Sequence, residues 1–258
     1  MTSYLFGDTD IAAQRLRLVA EVYTDSTRAF LHDRALYRSR IAVDLGCGLG
    51  YTTHLLAQVL QAEQTVGLDN SARFIALAQQ TQTQGITFYL HDVERVPFPV
   101  ELSDLLFCRL LMTHVDNSQA VLERWATQLQ PHGLLLMEEV EWIHTNSTLF
   151  TTYLDLQQAL LTHQSHCLYV GPVLDELAFP TLLRKRTSEV RRIQVAPAQA
   201  ATMFSLNFQM WKHHPFVREH YASKLVVHIE ENLQALMEAS AGELEIEWGF
   251  RQLVYERL

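Results

Sequence analysis

Cysteine is scarce: three in 258 residues, Cys47, Cys108 and Cys167, with no C-x-x-C pair among them. An odd number of widely spaced cysteines argues against a disulfide framework and for free thiols in a reducing compartment, the cytoplasm. Basic charge is also short, with 20 Lys and Arg against 29 Asp and Glu, a net charge of −9. Nucleic-acid backbones attract basic surfaces, so no DNA or RNA partner is expected, and docking on an anionic membrane is disfavoured for the same reason. No run of about 18 apolar residues exists, so no helix is expected to span a bilayer. The N-terminus lacks the basic stretch and apolar run of a signal peptide. Repeats, low-complexity runs and linkers are missing too. What remains is 48% hydrophobic, ample for one large α/β domain or a core with a modest cap.

Glycine is sparse as well, ten in all, yet three stand at alternate positions in Ile41-Ala-Val-Asp-Leu-Gly-Cys-Gly-Leu-Gly50. An apolar strand running into a glycine turn and then a helix makes a cradle for a nucleotide-like ligand. Gly46, Gly48 and Gly50 remove the side chains that would hold a ligand off the backbone.

Around this stretch the pattern alternates. Residues 8–37 read as two helices, with Thr24-Asp-Ser-Thr27 as a break and cap. The apolar tip Tyr4-Leu5-Phe6 ahead of them reads as an anchor on the core or a lid over a ligand. Strands are expected at 41–45, 65–69, 86–91, 102–108 and 133–138, with helices at 51–61, 71–82 and 117–130 between them. Short loops and strict alternation demand a parallel sheet covered on both faces, doubly wound by right-handed crossovers. After Trp142 the pattern changes. A long helix is expected at 148–166, a shorter one from Gly171, a strand at 188–195, helical chain at 198–237 with a break at His214-Pro215, and a final strand within 243–258.

The glycine register selects the ligand. A dinucleotide fold wants G-x-G-x-x-G, and the position of its third glycine is Tyr51 here. Asp44 stands two residues ahead of the loop, where an acid repels phosphate and favours a cationic ligand such as one carrying an ammonium and a sulfonium. Asp69, at the end of the second strand, can accept both hydroxyls of a ribose. Asp92, at the end of the third, can take the exocyclic amine of an adenine.

These residues resemble a known family. Val43-Asp-Leu-Gly-Cys-Gly-Leu-Gly50, Gly67-Leu-Asp-Asn-Ser71, His91-Asp-Val93, Ser103-Asp-Leu-Leu-Phe-Cys-Arg109, Leu111-Met-Thr-His-Val-Asp116 and Leu129-Gln-Pro-His-Gly-Leu134 are similar, in order and spacing, to class I S-adenosylmethionine-dependent methyltransferases. The small-molecule group related to ubiquinone and menaquinone biosynthesis fits best. The resemblance covers about residues 41–142. It implies a Rossmann-like seven-stranded sheet whose last strand is antiparallel and lies beside the fifth. It implies a single domain: N-terminal helices or lid at 1–40, a cofactor-binding core at 41–142 and a helical substrate cap at 198–237. It implies S-adenosyl-L-methionine as cofactor, with Gly46 and Gly48 against its methionine part, Asp69 on the ribose, Asp92 and the Val93 amide on the adenine, and Cys108 and Arg109 at the methionine end; Asp44, Cys47 and Asn70 join them as cofactor-binding candidates. The chain departs from the family at Pro131-His132-Gly133, where Pro-Gly-Gly is usual. It has no Asn-Pro-Pro-Tyr run after the fourth strand, which excludes the amino-methylating DNA enzymes.

Methyl transfer is an in-line displacement, and positioning supplies most of its catalysis. A base is needed only when the nucleophile must lose a proton. His114 is a candidate base or a structural residue of its loop. Arg109 is a ligand contact or a partner of Asp116. Glu139 and Glu141 fall on one side of the fifth strand if it continues, where Glu139 is a candidate base or a solvated strand end. Tyr4, Trp142, His144, Phe208 and Trp211 are candidate substrate contacts, and the aromatic, methionine-rich late insertion points to an apolar or planar small molecule. His163 and His166 lack an identifiable third ligand, so no metal is expected. The reading is methyl transfer to an oxygen or nitrogen of a small molecule. A cyclase-type enzyme of the same fold that binds the cofactor without transferring methyl, and a non-catalytic cofactor-binding protein, stay open.

Overall fold

Strand β1 (Ile41–Leu45) is buried at all five positions, as expected of a strand with structure on both faces. It lies in the middle of a seven-stranded sheet ordered β3-β2-β1-β4-β5-β7-β6. The computed structural model describes residues 9–34, 39–177, 182–238 and 243–258. The other strands are β2 (Gln64–Asp69), β3 (Ile86–Leu90), β4 (Ser103–Arg109), β5 (Leu129–Thr145), β6 (Leu183–Gln194) and β7 (Ile246–Arg257). Strands β1 to β5 pair in parallel, and β7 runs antiparallel to both β5 and β6. The fold is thus the expected Rossmann-like α/β sheet with an antiparallel last strand beside the fifth.

The helices are α1 (Asp10–Arg34), α2 (Tyr51–Leu60), α3 (Ala72–Gln79), α4 (Ser118–Ala126), α5 (Thr148–His163), α6 (Val170–Glu176), α7 (Pro197–Trp211), α8 (Pro215–His220) and α9 (Ser223–Glu238). Local chemistry starts several of them. The side chains of Ser71, Asn117 and Ser147 accept hydrogen bonds from backbone amides of the first turns of α3, α4 and α5, and proline opens α7 and α8.

Two expectations are corrected. Residues 10–34 form one helix, not two. The Thr24 hydroxyl donates to the Ala20 carbonyl at 2.6 Å, so the polar run rides inside the helix instead of capping a new one. The fifth strand starts at Leu129 and absorbs the Pro131-His132-Gly133 turn. His132 takes the left-handed backbone there, φ 65°. A Cβ on Gly133 would come within 2.9–3.1 Å of three carbonyl oxygens, so that glycine is obligatory while the one before it is not.

Because the sheet order reverses between β1 and β4, a crevice opens beyond their carboxyl ends. Adjacent glutamates on β5 support its far wall. Glu138 accepts from the Thr27 hydroxyl at 2.5 Å and from Gln252 Nε2 at 2.7 Å. Glu139 turns to the opposite face, and its Oε1 accepts from the backbone amides of Leu111 and Met112, both at 2.8 Å. Both carboxyls are completely buried. Burial pushes Glu139 up to about 8, against the pull of those two amides.

A carboxyl raised above its unfolded value keeps a proton in the native state that the unfolded chain releases. Stability contributed by protonated Glu139 is therefore present at low pH and is lost as pH rises from about 4.5 to about 8. Glu139→Gln retains the acceptor for both amides and removes the titration. In thermal melts from pH 5 to 8, the variant is expected to gain on the wild type by up to about 1.4 kcal/mol per pH unit. Parallel melting curves would contradict this role.

Candidate functional site

The loop leaving β1 is held open by the end of β2. Gly46 and Cys47 both donate their amides to the Leu68 carbonyl, at 2.8 and 3.0 Å. The Gly48 amide donates to Asp69 Oδ2 at 2.8 Å, and the Ser71 amide to Asp69 Oδ1 at 2.8 Å. Gly46 sits at φ 70°, and a Cβ there would meet the Leu111 side chain at 2.9 Å. Gly50 sits at φ 84°, with the Phe88 ring 2.7 Å from where its Cβ would be. Neither position accepts a side chain without strain.

Above this loop lies an open cleft with a cavity volume of about 160 Å³. Gly46, Cys47, Gly48, Asp69, Asn70, Asp92, Val93 and Arg109, all expected at the site from sequence, line this one space. Asp92 Oδ1 accepts from the Glu94 amide at 3.0 Å, and its Oδ2 lies 3.1 Å from Arg95 Nε. Arg109 reaches Thr27 Oγ1 at 3.0 Å and lies 5.9 Å over the Tyr23 ring. Burial lowers its pKa, while Glu138, Asp44 and Tyr23 hold the charge on it. Two residues expected here lie beneath the floor instead. Asp44 is 1% exposed, accepts from the Thr53 hydroxyl at 2.7 Å and is pushed up to about 7, chiefly by burial. Cys108 is wholly buried, and burial raises its thiol further.

A second, smaller cavity of about 80 Å³ adjoins the first, and both are lined by Arg15, Val19, Leu110 and His114. Leu110 takes the left-handed backbone, φ 56°, although it is not glycine, a conformation that costs about 1 kcal/mol. Its amide donates to the Glu138 carbonyl at 3.0 Å, and Glu139 holds the next two amides, so β5 imposes that turn. His114 sits edge-on to His166 with ring centres 6.2 Å apart. Burial, Arg15 and His166 together push His114 down to about 3.

The other candidates from the sequence are corrected. Glu139 lies under the loop and lines neither space. Trp142 and His144 stack on each other, 4.1 Å between ring centres, and the Trp142 ring covers Gly249 of β7. The bulge between Val140 and Trp142 breaks the strand alternation on which the pairing of Glu139 with Glu141 rested. Glu141 binds Arg251. Phe208 and Trp211 pack in the core against Tyr153, their ring centres 6.2 and 5.6 Å from it. Met203, Phe204 and Asn207 of the same helix face the second cavity instead. Tyr4 lies outside the described residues. Arg15 was missed. It looks like one more charge on an amphipathic helix, and only the packing of α1 across the crevice buries it.

Residues 43–137 match the family model described as a methyltransferase domain. A trans-aconitate 2-methyltransferase of Delftia acidovorans is 34% identical over 105 residues, 40% of this chain and 39% of that one. A malonyl-[acyl-carrier protein] O-methyltransferase of Bacillus cereus is 27% identical over 133 residues, 51% of this chain and 49% of that one. The match thus spans from about two fifths to half the length of these curated relatives. Among solved structures, a Haemonchus contortus phosphoethanolamine N-methyltransferase with phosphomonomethylethanolamine and S-adenosylhomocysteine aligns with 93% of this chain and 57% of its own. Its TM-score is 0.54 and its identity 16%, a likeness of fold. No helix among the described residues is long and apolar enough to cross a membrane. The glycine loop, the acids at successive strand ends and the antiparallel last strand agree with the family match: residues 43–137 are a methyltransferase domain, in a chain with the class I S-adenosylmethionine-dependent methyltransferase fold.

Proposed function

We propose that this protein is a cytoplasmic enzyme that transfers a methyl group from S-adenosylmethionine to an oxygen or nitrogen of a small molecule with an apolar or planar body. One observation carries the reading: a cleft lined by the glycine loop, Asp69 and Asp92 opens past Leu110 and His114 into a second, mostly apolar cavity. The first space suits the cofactor and the second the acceptor. Helices α7 to α9 act as the cap over the acceptor, within a single domain. The acidic surface argues against a nucleic-acid partner.

When bound, S-adenosylmethionine supplies an electrophilic methyl on a sulfonium. The protein's residues supply geometry. Asp69 offers carboxylate oxygens to the ribose hydroxyls while holding the Gly48 amide, with Asn70 beside it. Asp92 and the Val93 amide read the adenine edge. The backbone at Gly46 and Gly48 lies against the methionine part, and Arg109 takes its carboxylate. Asp44, under the floor and pushed up to about 7 by burial, holds the loop through Thr53 and is only partly charged at neutral pH. With the acceptor entering from the second cavity, nucleophile, methyl and sulfur can align across the Leu110–His114 junction, and this alignment is the main source of rate. The names of the two curated relatives, which act on trans-aconitate and malonyl-[acyl-carrier protein], support an acceptor that is not a nucleic acid.

Calorimetric titration with S-adenosylmethionine, S-adenosylhomocysteine and NAD tests the cleft: the first two are expected to bind and NAD is not. Labelled methyl remaining on the cofactor under all acceptors, with tight binding, would favour the cyclase-type or non-catalytic reading. Asp69→Ala is expected to weaken S-adenosylhomocysteine by roughly 10- to 100-fold, the loss of charge-assisted hydrogen bonds worth about 1.5–3 kcal/mol. Unchanged affinity would remove Asp69 from the ribose.

Arg109→Lys keeps a charge facing Glu138 and loses the planar fork. It is expected to weaken S-adenosylhomocysteine about tenfold and to leave 5′-methylthioadenosine, which has no carboxylate, unaffected. Equal losses for both would refute a carboxylate contact.

A further inference from the structure

Asn207 of α7 carries a buried polar atom that the protein leaves unsatisfied. The residue is 6% exposed and lines the second cavity. Its Oδ1 has no hydrogen-bond partner among the described residues. The other end of the same amide is accounted for. The Asn207 side chain acts on Tyr153 of α5 so as to favour the phenolate, which is the influence of a donor, so the amide nitrogen is the end turned toward that hydroxyl. Buried polar atoms are nearly always paired, and an orphan at the wall of a cavity is where a ligand group would complete the pairing.

Gln157 of α5 brings a second side-chain amide to the same wall and is 5% exposed. Both amides border the second cavity and not the first cleft. Their surroundings are apolar, with Leu161, Met203, Phe204 and Trp248 lining the same space. Arg15 and His114 stand at the junction with the first cleft instead, each with an interaction of its own. No Asp or Glu is among the described residues lining the second cavity, so an ammonium meets no counter-charge there, and the amides themselves are uncharged. Two amides in an apolar wall select a neutral hydrogen-bonding group. A hydroxyl both donates and accepts, which suits one carbonyl oxygen and one amide nitrogen together.

Resting on the reading of the first cleft as the methyl-donor site, we propose that the second cavity holds the acceptor molecule by a neutral hydroxyl, separate from the atom that is methylated, which donates to Asn207 Oδ1 and accepts from the Gln157 amide. Because these amides border only the second cavity, the hydroxyl lies at the end of the molecule away from the methyl donor. The apolar body packs against Met203 and Phe204. Asn207 and Gln157 are specificity residues, not catalytic ones. A hydroxyl supplies the hydrogen bond that Asn207 Oδ1 lacks, and an analogue without it leaves that atom buried and unpaired.

The test uses the full chain saturated with S-adenosylhomocysteine, titrated with a panel of aryl and cycloalkyl alcohols (4-ethylphenol and cyclohexanol among them). Each is matched with the analogue carrying methyl in place of hydroxyl (4-ethyltoluene and methylcyclohexane). At least one hydroxyl compound is expected to bind tenfold or more tighter than its match. Asn207→Leu, which replaces the unpaired amide with an apolar group of similar size, is expected to reverse that preference. It is also expected to keep S-adenosylhomocysteine affinity within about twofold of wild type and to leave the thermal unfolding midpoint unchanged or raised. Gln157→Leu is expected to weaken the preference in the same direction. A wild type that binds no hydroxyl compound better than its match would overturn the proposal, whatever the variants do. So would a preference that survives Asn207→Leu. A lowered unfolding midpoint in Asn207→Leu with the preference intact would assign Asn207 to its buried neighbours instead. Failure of the wild type to bind S-adenosylhomocysteine at all is a separate result, and it would overturn the reading of the cleft itself.

Discussion

The attachment of the glycine loop to the end of β2 is the constraint on which the site depends. The Leu68 carbonyl accepts two amides and the Asp69 carboxylate a third, so the loop cannot settle onto the strand ends and fill the crevice. Asp69 does this while still lining the cleft. The group that shapes the site is thus also the one offered to a ligand. Substitution there acts on affinity through both routes, the loop and the ligand contact.

A second support comes from the opposite side. Glu138 and Glu139 are neighbours on one strand, so they point to opposite faces. Glu138 gathers Thr27 of α1 and Gln252 of β7. Glu139 fixes the turn after β4, where Leu110 is held in an unfavourable backbone conformation. Leu110 and His114 then stand where the first cleft meets the second cavity. Two buried carboxyls cost desolvation free energy, and a defined passage between the two cavities is the structural return.

The grouping of the first cleft was legible in the sequence because its signals are local. Glycines at alternate positions and acids at strand ends need only the strand–turn–helix register to be interpreted, and Gly46, Gly48, Asp69 and Asp92 do share one space. The second cavity was not legible, because its residues are defined by packing between distant segments. Glu139 resembles a strand-end base until the Leu111 and Met112 amides, from a loop far earlier in the chain, are seen on it. Thr24 to Thr27 resembles a helix break, yet Thr27 is a buried bridge between Arg109 and Glu138. On α7 the expected face was right but its position was off by about one turn: Phe208 and Trp211 lie wholly in the core, while Phe204 and Asn207, one turn earlier on the same face, also line the cavity. Arg15 carries no local mark at all.

A structure of the protein with S-adenosylhomocysteine bound tests the central claim most directly. The account expects both ribose hydroxyls within hydrogen-bonding distance of Asp69, the adenine beside Asp92 and Val93, and the sulfur directed at the junction of Leu110 and His114. A ribose turned away from Asp69, or a sulfur directed away from the second cavity, would contradict it.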